Sequence, residues 1–210
     1  MASTAATSAR SSGGRQESTA EHTWRLCLMA MMLEEDLADL DFTRILRLCV
    51  IHDLGEAIHG DIPATQQSPG AGKGAQERLD LLQLASPLDA PARDRLLALW
   101  DDYENAASPE ARAVKAMDKL ETLLQHNQGA NAPDFDYAFN LDYGRKHTDA
   151  LPLFREIRRL LDADTEARIR QQAAERAARP APSPADVVQR QLDAYNARDI
   201  DAFMPAWAQD

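Results

Sequence analysis

Cysteine is nearly missing from this 210-residue chain; only Cys27 and Cys49 occur, each inside an apolar run. Two such residues exclude a disulfide-stapled scaffold and a four-cysteine zinc clip. They read as small buried hydrophobes of a reducing compartment, not as a redox pair. Aromatic residues make up only 6% of the chain. β-Branched residues are few and apolar–polar alternation never persists, so nothing in the body reads as a strand. Long apolar runs are lacking too; the longest, Leu26 to Leu33, is far too short to span a membrane. Base is scarce relative to acid, with 23 Lys and Arg against 34 Asp and Glu and a formal charge of −11. Such a surface repels polyanions, which excludes a sequence-independent grip on a nucleic acid polymer. A small anionic substrate stays open, because a metal ion reverses the local field. The opening "MASTAATSARSSGG" has no apolar middle of the kind a secretory signal needs, and it reads as a disordered tail. Together these absences place the protein in the cytoplasm.

What is present is ordinary globular composition, 44% hydrophobic and 27% charged. From Thr19 to about Ala38 the pattern is helical and apolar nearly all round, which predicts a helix in the middle of the fold. "DFTRILRLCVIHDLGEAIHG" predicts a second helix, with Asp41 as N-cap and Gly60 ending it. "DIPATQQSPGAGKG" is loop by its Pro and Gly content. Helical patterns resume at Gln76–Ala85, Ala90–Ala106 and Pro109–Asn127, and a long charged helix covers Leu151–Ala178. Its alternating charges read as a solvated face. The body is therefore all-α. "ARPAPSPAD" is a Pro- and Ala-rich linker, and another amphipathic unit follows it.

One stretch does not fit a plain core helix. "VIHDLGEAIHGDIPA" sets His52 and Asp53 side by side and adds Glu56, His59 and Asp61, all next to an apolar run. Charged groups are rarely buried unless paired or bound to metal. An imidazole nitrogen and a carboxylate oxygen suit a divalent cation of intermediate softness. Adjacent helical residues diverge by roughly 100°, yet both can lean onto one ion at that edge. Glu56 follows one turn along on the same face, where a group acting beside a metal belongs. Two ligands cannot hold a catalytic ion alone. His22 in "TAEHTWRLCLMAMML" and Asp118 in "AVKAMDKLETLLQ" each sit in an apolar helical setting and complete an H…HD…D set. Two imidazoles and two carboxylates leave open positions for water and substrate. Asp118 and Glu121 have a competing use as surface helix pairs with Lys115 and Lys119. The apolar neighbours Val114, Met117 and Leu120 favour Asp118 facing inward.

This arrangement resembles the HD-domain metal-dependent phosphohydrolases. The phrases "RQESTAEHTWR", "HDLGEAIHGDIPA" and "VKAMDKLETLLQ" are similar to the branch that contains 5′-deoxynucleotidases, over about Arg15 to Asp164. The resemblance implies an all-helical, homodimeric protein that removes phosphate from deoxynucleoside 5′-monophosphates. It makes His22, His52, Asp53 and Asp118 the ligands of one divalent cation (Mn, Co, Fe, Ni, Zn or Mg). It gives Glu56 to proton transfer near the attacked phosphate, Asp61 to the sugar and attacking water, and Arg15 to substrate binding. In one respect the chain departs from that family: a helix carrying an arginine and an aromatic normally precedes the first histidine segment, and "MASTAATSARSSGG" supplies neither. Metal binding is expected to survive that change, while turnover and substrate choice are exposed to it. Two rival readings stand beside it: an HD-type phosphodiesterase or pyrophosphohydrolase on another nucleotide, and a non-catalytic metal-bound helical module that binds a partner.

The domain plan that results is a tail over residues 1–14, an HD domain over 15–178, a linker over 179–185 and a truncated helical fragment over 186–210. The fragment "VVQRQLDAYNARDIDAF" resembles the start of a nuclear transport factor 2-like fold, too short for that fold's sheet or pocket. His59 and His126 read as structural, and Trp24, Met29, Met31 and Met32 as core packing. "GAGKG" is not a phosphate loop: the first glycine of the motif and the Ser or Thr after the lysine are missing.

Overall fold

A computed structural model of the chain describes residues 17–60, 73–178 and 183–204. Among them there is no strand, and the all-α expectation holds. Backbone packing divides the chain into two compact units, Met1–Ile169 and Arg170–Asp210.

The first unit begins with α1, Thr19–Met32. Its start is set by a capping box: the Glu21 N–H donates to Ser18 Oγ, and the Ser18 N–H donates to the Glu21 carboxylate. Leu26 and Ala30, one turn apart, are fully buried. The expectation of a helix buried on all sides is wrong. Trp24 is 73% exposed, and Leu28, Met31 and Met32 lie on the same outward face. At 3.6 residues per turn, positions 24, 28 and 31 share one stripe, while 26 and 30 point the other way. Of the residues read as core, only Met29 packs against it. Helix α1 also ends early; a 3₁₀ turn at Glu35–Leu37 follows it.

Helix α2, Phe42–Ile51, is capped by Asp41, whose carboxylate accepts the Arg44 N–H at 3.0 Å. It does not run on to Gly60. The α-helix stops at Ile51, His52 is its C-cap, and Leu54–Ala57 form a 3₁₀ turn. The break has a local cause. Asp53 leaves helical geometry, and His52 Nδ1 donates to the Cys49 carbonyl at 2.8 Å, one of the carbonyls a helix end leaves unpaired. Gly60 then turns the chain at φ +79°, where a side chain would be strained. The predicted loop after it lies mostly outside the described residues.

Helix α3, Lys73–Leu84, packs on the 3₁₀ turn at Leu54–Ala57. A Cβ at Gly55 would meet the Glu77 carbonyl oxygen at 2.7 Å, so this close approach requires glycine. Helix α4, Ala90–Glu104, starts at the Asp89 cap, and α5, Pro109–Gln128, at the Ser108 cap, each with proline in its first turn. The helix at the centre is α5, not α1. Ala111, Ala113, Val114, Ala116, Met117, Leu120 and Leu123 are all buried, and α1, α2 and α4 all pack on it. Its three alanines let those neighbours approach closely. Ile51, Leu81, Leu97 and Trp100 form a second cluster under α3 and α4.

A short helix α6, Arg145–Thr148, precedes α7, Pro152–Ala178, within which the boundary to the second unit falls. Most of the charges on α7 face solvent, as expected, but Arg158 does not; it is 1% exposed. Its guanidinium donates to the carbonyls of Tyr143, Asn140 and Leu141 and to Asp162 Oδ1, at 2.6 to 2.8 Å. That fork ties α7 to the irregular 138–148 segment. In the second unit, α8, Pro184–Ala197, starts at a Ser183–Asp186 capping box, and α9, Ile200–Phe203, follows. No helix among the described residues is long and apolar enough to cross a membrane.

Removing the Arg158 fork takes the guanidinium donors from the Asn140 and Tyr143 carbonyls and the ion-pair partner from Asp162. Arg158→Met is therefore expected to lower the unfolding free energy by about 3–5 kcal/mol, read from urea denaturation followed by circular dichroism. A loss under about 1 kcal/mol would show that the fork is dispensable.

Candidate metal centre

Three segments of the first unit bring four polar side chains to one point. The first turn of α1 supplies His22, the end of α2 supplies His52 and Asp53, and the centre of α5 supplies Asp118. His22 Nε2 lies 3.2 Å from Asp118 Oδ1 and 3.7 Å from Asp53 Oδ2. His52 Nε2 lies 3.0 Å from Asp53 Oδ2, and the two imidazole centroids are 5.2 Å apart. Donor atoms of His22, His52 and Asp118 all fall within 4.8 Å of one another. One ion with ligand distances of about 2.0–2.2 Å spans such a set with little closing.

The hydrogen bonds behind these groups point the free atoms inward. A carbonyl can only accept, so His52 Nδ1 carries the hydrogen it gives to Cys49, and Nε2 is left facing the centre. That nitrogen is buried and has no hydrogen-bond partner among the described residues; its approach to Asp53 lacks hydrogen-bond geometry. His22 Nδ1 donates to Glu121 Oε2 at 2.5 Å, which likewise leaves Nε2 for the centre. Asp118 is held through Oδ2, which accepts from Tyr103 Oη and Lys119 Nζ, both at 2.8 Å, so Oδ1 turns toward His22. Solvent reaches the centre at Asp53, whose side chain is 23% exposed against 0% for His52.

Charge is balanced within this cluster. Burial disfavours an imidazolium at His22, but the carboxylates of Asp118 and Glu121 outweigh it and push the group up to about 11. His52 is raised in the same way, against burial, by Asp53 and Asp118. Burial works against ionised Asp118 too, and Lys119 and the two imidazoles overcome it, holding the carboxyl well below the usual range. Tyr103 is pushed up by burial and by Asp118, so it stays a donor. With neutral imidazoles the centre would be strongly anionic. Without an ion, protons fill that deficit; a divalent cation does the same work, and the donor set of two imidazoles and two carboxylates fits one.

Glu56 is buried in the 3₁₀ turn after the centre, and Lys73 Nζ reaches its Oε1 at 3.2 Å from the first turn of α3. Lys73 also pairs with Glu77 at 3.2 Å. Arg15 and Asp61 lie outside the described residues. His59 Nδ1 bonds the buried Asp80 at 2.6 Å, and His126 Nδ1 bonds Asn140 at 3.0 Å.

Several contributing residues escaped the sequence reading. Glu121 does not pair with a lysine on the surface. It is 1% exposed, backs His22 and is matched by Arg25 Nε at 2.6 Å. A clue was available, because Glu121 lies three after Asp118 on the same buried face of α5. Glu17, His22 and Glu121 also cluster, but Arg25 sits against both acids, so this group reads as outer support for His22. Tyr103 comes from α4 and had no local signal.

The sequence pattern of the HD domain family matches residues 4–158 of the chain. The human 5′-deoxynucleotidase HDDC2 is 35% identical over 114 residues, 54% of this chain and 55% of that protein. The 5′-deoxynucleotidase HDDC2 of Dictyostelium discoideum is 27% identical over 161 residues, 70% of this chain and 83% of that protein. The chain spans about half the length of the first of these relatives. Among solved structures, a predicted metal-dependent phosphohydrolase from Magnetospirillum magnetotacticum superposes with a TM-score of 0.64 at 24% identity, over 77% of this chain and 83% of that one. At that identity the likeness speaks for the fold.

The carboxylate behind His22 fixes its ring and raises its basicity. Glu121→Gln is expected to weaken Mn²⁺ binding by about 10–100-fold, measured by titration calorimetry. Unchanged affinity would mean that Glu121 does not support the centre.

Proposed function

The chain belongs to the HD domain family, and from that premise we propose that it is a metal-dependent phosphohydrolase removing phosphate from deoxynucleoside 5′-monophosphates. The observation that carries the reading is the convergence of His22 Nε2, His52 Nε2, Asp118 Oδ1 and Asp53 Oδ2 on one buried point. The similarity to 5′-deoxynucleotidases supports the substrate class. In this reading His22, His52, Asp53 and Asp118 hold one ion, drawn from Mn, Co, Fe, Ni, Zn and Mg. When bound, a divalent cation lowers the pKa of a water and offsets charge on the phosphoryl oxygens.

The chain's own residues do the rest. Glu121 and the Cys49 carbonyl orient the two imidazoles, while Tyr103 and Lys119 keep Asp118 ionised and aimed. The Glu56 carboxyl, held by Lys73, keeps the attacking water in line or passes a proton to the 5′ oxygen as it leaves. Asp61 serves the sugar and the attacking water, and Arg15 serves substrate binding. Cytoplasmic placement belongs to the same proposal, supported by two free thiols. A homodimer also belongs to it, supported by the apolar face of α1 that Trp24, Leu28, Met31 and Met32 leave exposed.

Purified protein supplied with Mn²⁺, Co²⁺ or Mg²⁺ is expected to release phosphate from dAMP, dGMP or dTMP. Asp53→Ala should abolish release, and Glu56→Ala should cut kcat by about 10²–10⁴-fold while leaving the metal content unchanged. Metal uptake with no release on any monophosphate would replace this reading by a metal-bound helical module. Cleavage confined to nucleotide diesters or pyrophosphates would replace the substrate class.

Light scattering of the same sample is expected to give the mass of two chains, and Trp24→Glu to shift it to one. A single-chain mass for the unaltered protein would remove the dimer.

A further inference from the structure

Lys73 stands between two acids at the edge of the candidate centre. Its Nζ lies 3.2 Å from Glu56 Oε1 and 3.2 Å from Glu77 Oε1, and its side chain is 28% exposed. Glu56 belongs to the 3₁₀ turn that follows Asp53, and it is buried there. Helix α3, which carries Lys73, is pressed onto that turn and against the end of α4. A Cβ at Gly55 would meet the Glu77 carbonyl oxygen at 2.7 Å, and one at Gly74 would meet Glu104 Oε1 at 2.8 Å. Packing this close fixes the first turn of α3 beside the chain that leaves the centre.

We propose that Lys73 is a substrate-binding residue, whose ammonium exchanges Glu56 for a phosphoryl oxygen of a phosphate monoester bound at the centre while Glu77 keeps hold of it. The proposal rests on the phosphohydrolase reading above and adds the residue that receives the charge of the substrate. A phosphate monoester carries about −1.5 to −2 charge at neutral pH. A divalent ion at the centre is already matched by the carboxylates of Asp53 and Asp118. The charge that the phosphate brings, next to the acid at Glu56, therefore needs a cation from the chain.

Other cations in this part of the fold are committed elsewhere. Lys119 Nζ donates to Asp118 Oδ2 at 2.8 Å, and Arg25 Nε lies 2.6 Å from Glu121 Oε1. Lys115 donates to the Tyr103 and Glu104 carbonyls and to Glu104 Oε2 at 3.0 to 3.1 Å. Drawing Lys119 or Arg25 away would take the charge partner from a buried carboxylate, a costly loss. Lys73 differs because two acids share it at equal distance, so giving up Glu56 leaves it paired with Glu77. Its flexible stem and rotatable donors make that exchange without moving α3. The Glu56 carboxyl, let go by Lys73 in the same step, turns to the attacking water.

The test titrates inorganic phosphate into the full chain loaded with Mn²⁺ and reads binding by calorimetry. The unaltered chain is expected to bind it. Lys73→Met should weaken that binding by about 10–100-fold, the size of one hydrogen bond to a charged group, with the Mn²⁺ content unchanged. Lys73→Arg should recover most of the loss. In turnover of dAMP, Lys73→Met should raise KM. A fall in kcat with KM and phosphate affinity unchanged would make Lys73 a support of Glu56 alone and overturn the proposal. Equal phosphate affinity in Lys73→Met, no phosphate bound by the unaltered Mn²⁺-loaded chain, or loss of Mn²⁺ from the variant would each overturn it as well. A chain that takes up no Mn²⁺ fails the metal reading above, and this proposal falls with it. A chain that takes up Mn²⁺ but binds phosphate as tightly after Lys73→Met fails this proposal alone.

Discussion

An ionised carboxyl buried like that of Asp118 loses several kcal/mol of hydration unless opposite charge and hydrogen bonds replace the water. The surroundings of the centre answer to that constraint. Asp53, Asp118 and Glu121 bring three negative charges, and Lys119 and Arg25 return two positive ones. Neutral imidazoles at His22 and His52 would leave the balance negative in a place where the dielectric is low. Both imidazoles are pushed up as a result. The same imbalance is what makes the spot a seat for a cation, since a divalent ion supplies the missing charge while the imidazoles bind it in neutral form.

The scaffold meets this demand through two different devices. Helix α5 passes through the middle of the first unit and carries both Asp118 and Glu121 one turn apart, so a single rigid element fixes an inner acid and an outer one. The His52–Asp53 pair instead sits where α2 stops. Ending the helix there frees the Cys49 carbonyl from the helical ladder, and the His52 side chain takes it. Asp53, released from helical geometry, turns back over the ring of its neighbour. Two adjacent residues therefore converge, although on a continuous helix they would diverge by about 100°.

That point marks the edge of what could be read from the chain. Helix positions followed from periodicity and capping residues, and α4 and α5 fall within a residue or two of their expected bounds. The four donors could be picked out because each is an ionisable group inside an apolar setting. Long-range pairing was not legible. Nothing near Tyr103 reveals that its hydroxyl meets Asp118, and nothing near Arg158 shows three carbonyls waiting for it. Helix α1 failed for a different reason. Its sequence is apolar all round, which a buried helix and a helix with one face left for association share equally, and only the packing of α2 and α5 on one side decides.

The two imidazoles are not equivalent, and the difference lies in what stands behind them. His22 is backed by a carboxylate, itself matched by Arg25, so its inner nitrogen gains basicity and its ring is locked by charge. His52 is backed by a neutral carbonyl on the backbone of α2. A carbonyl orients a ring but adds little electron density, and it moves whenever its own residue moves. His22 is thus the fixed anchor of the set and His52 the adjustable member. The residue that controls the adjustable one is Cys49, whose carbonyl takes the His52 Nδ1 hydrogen.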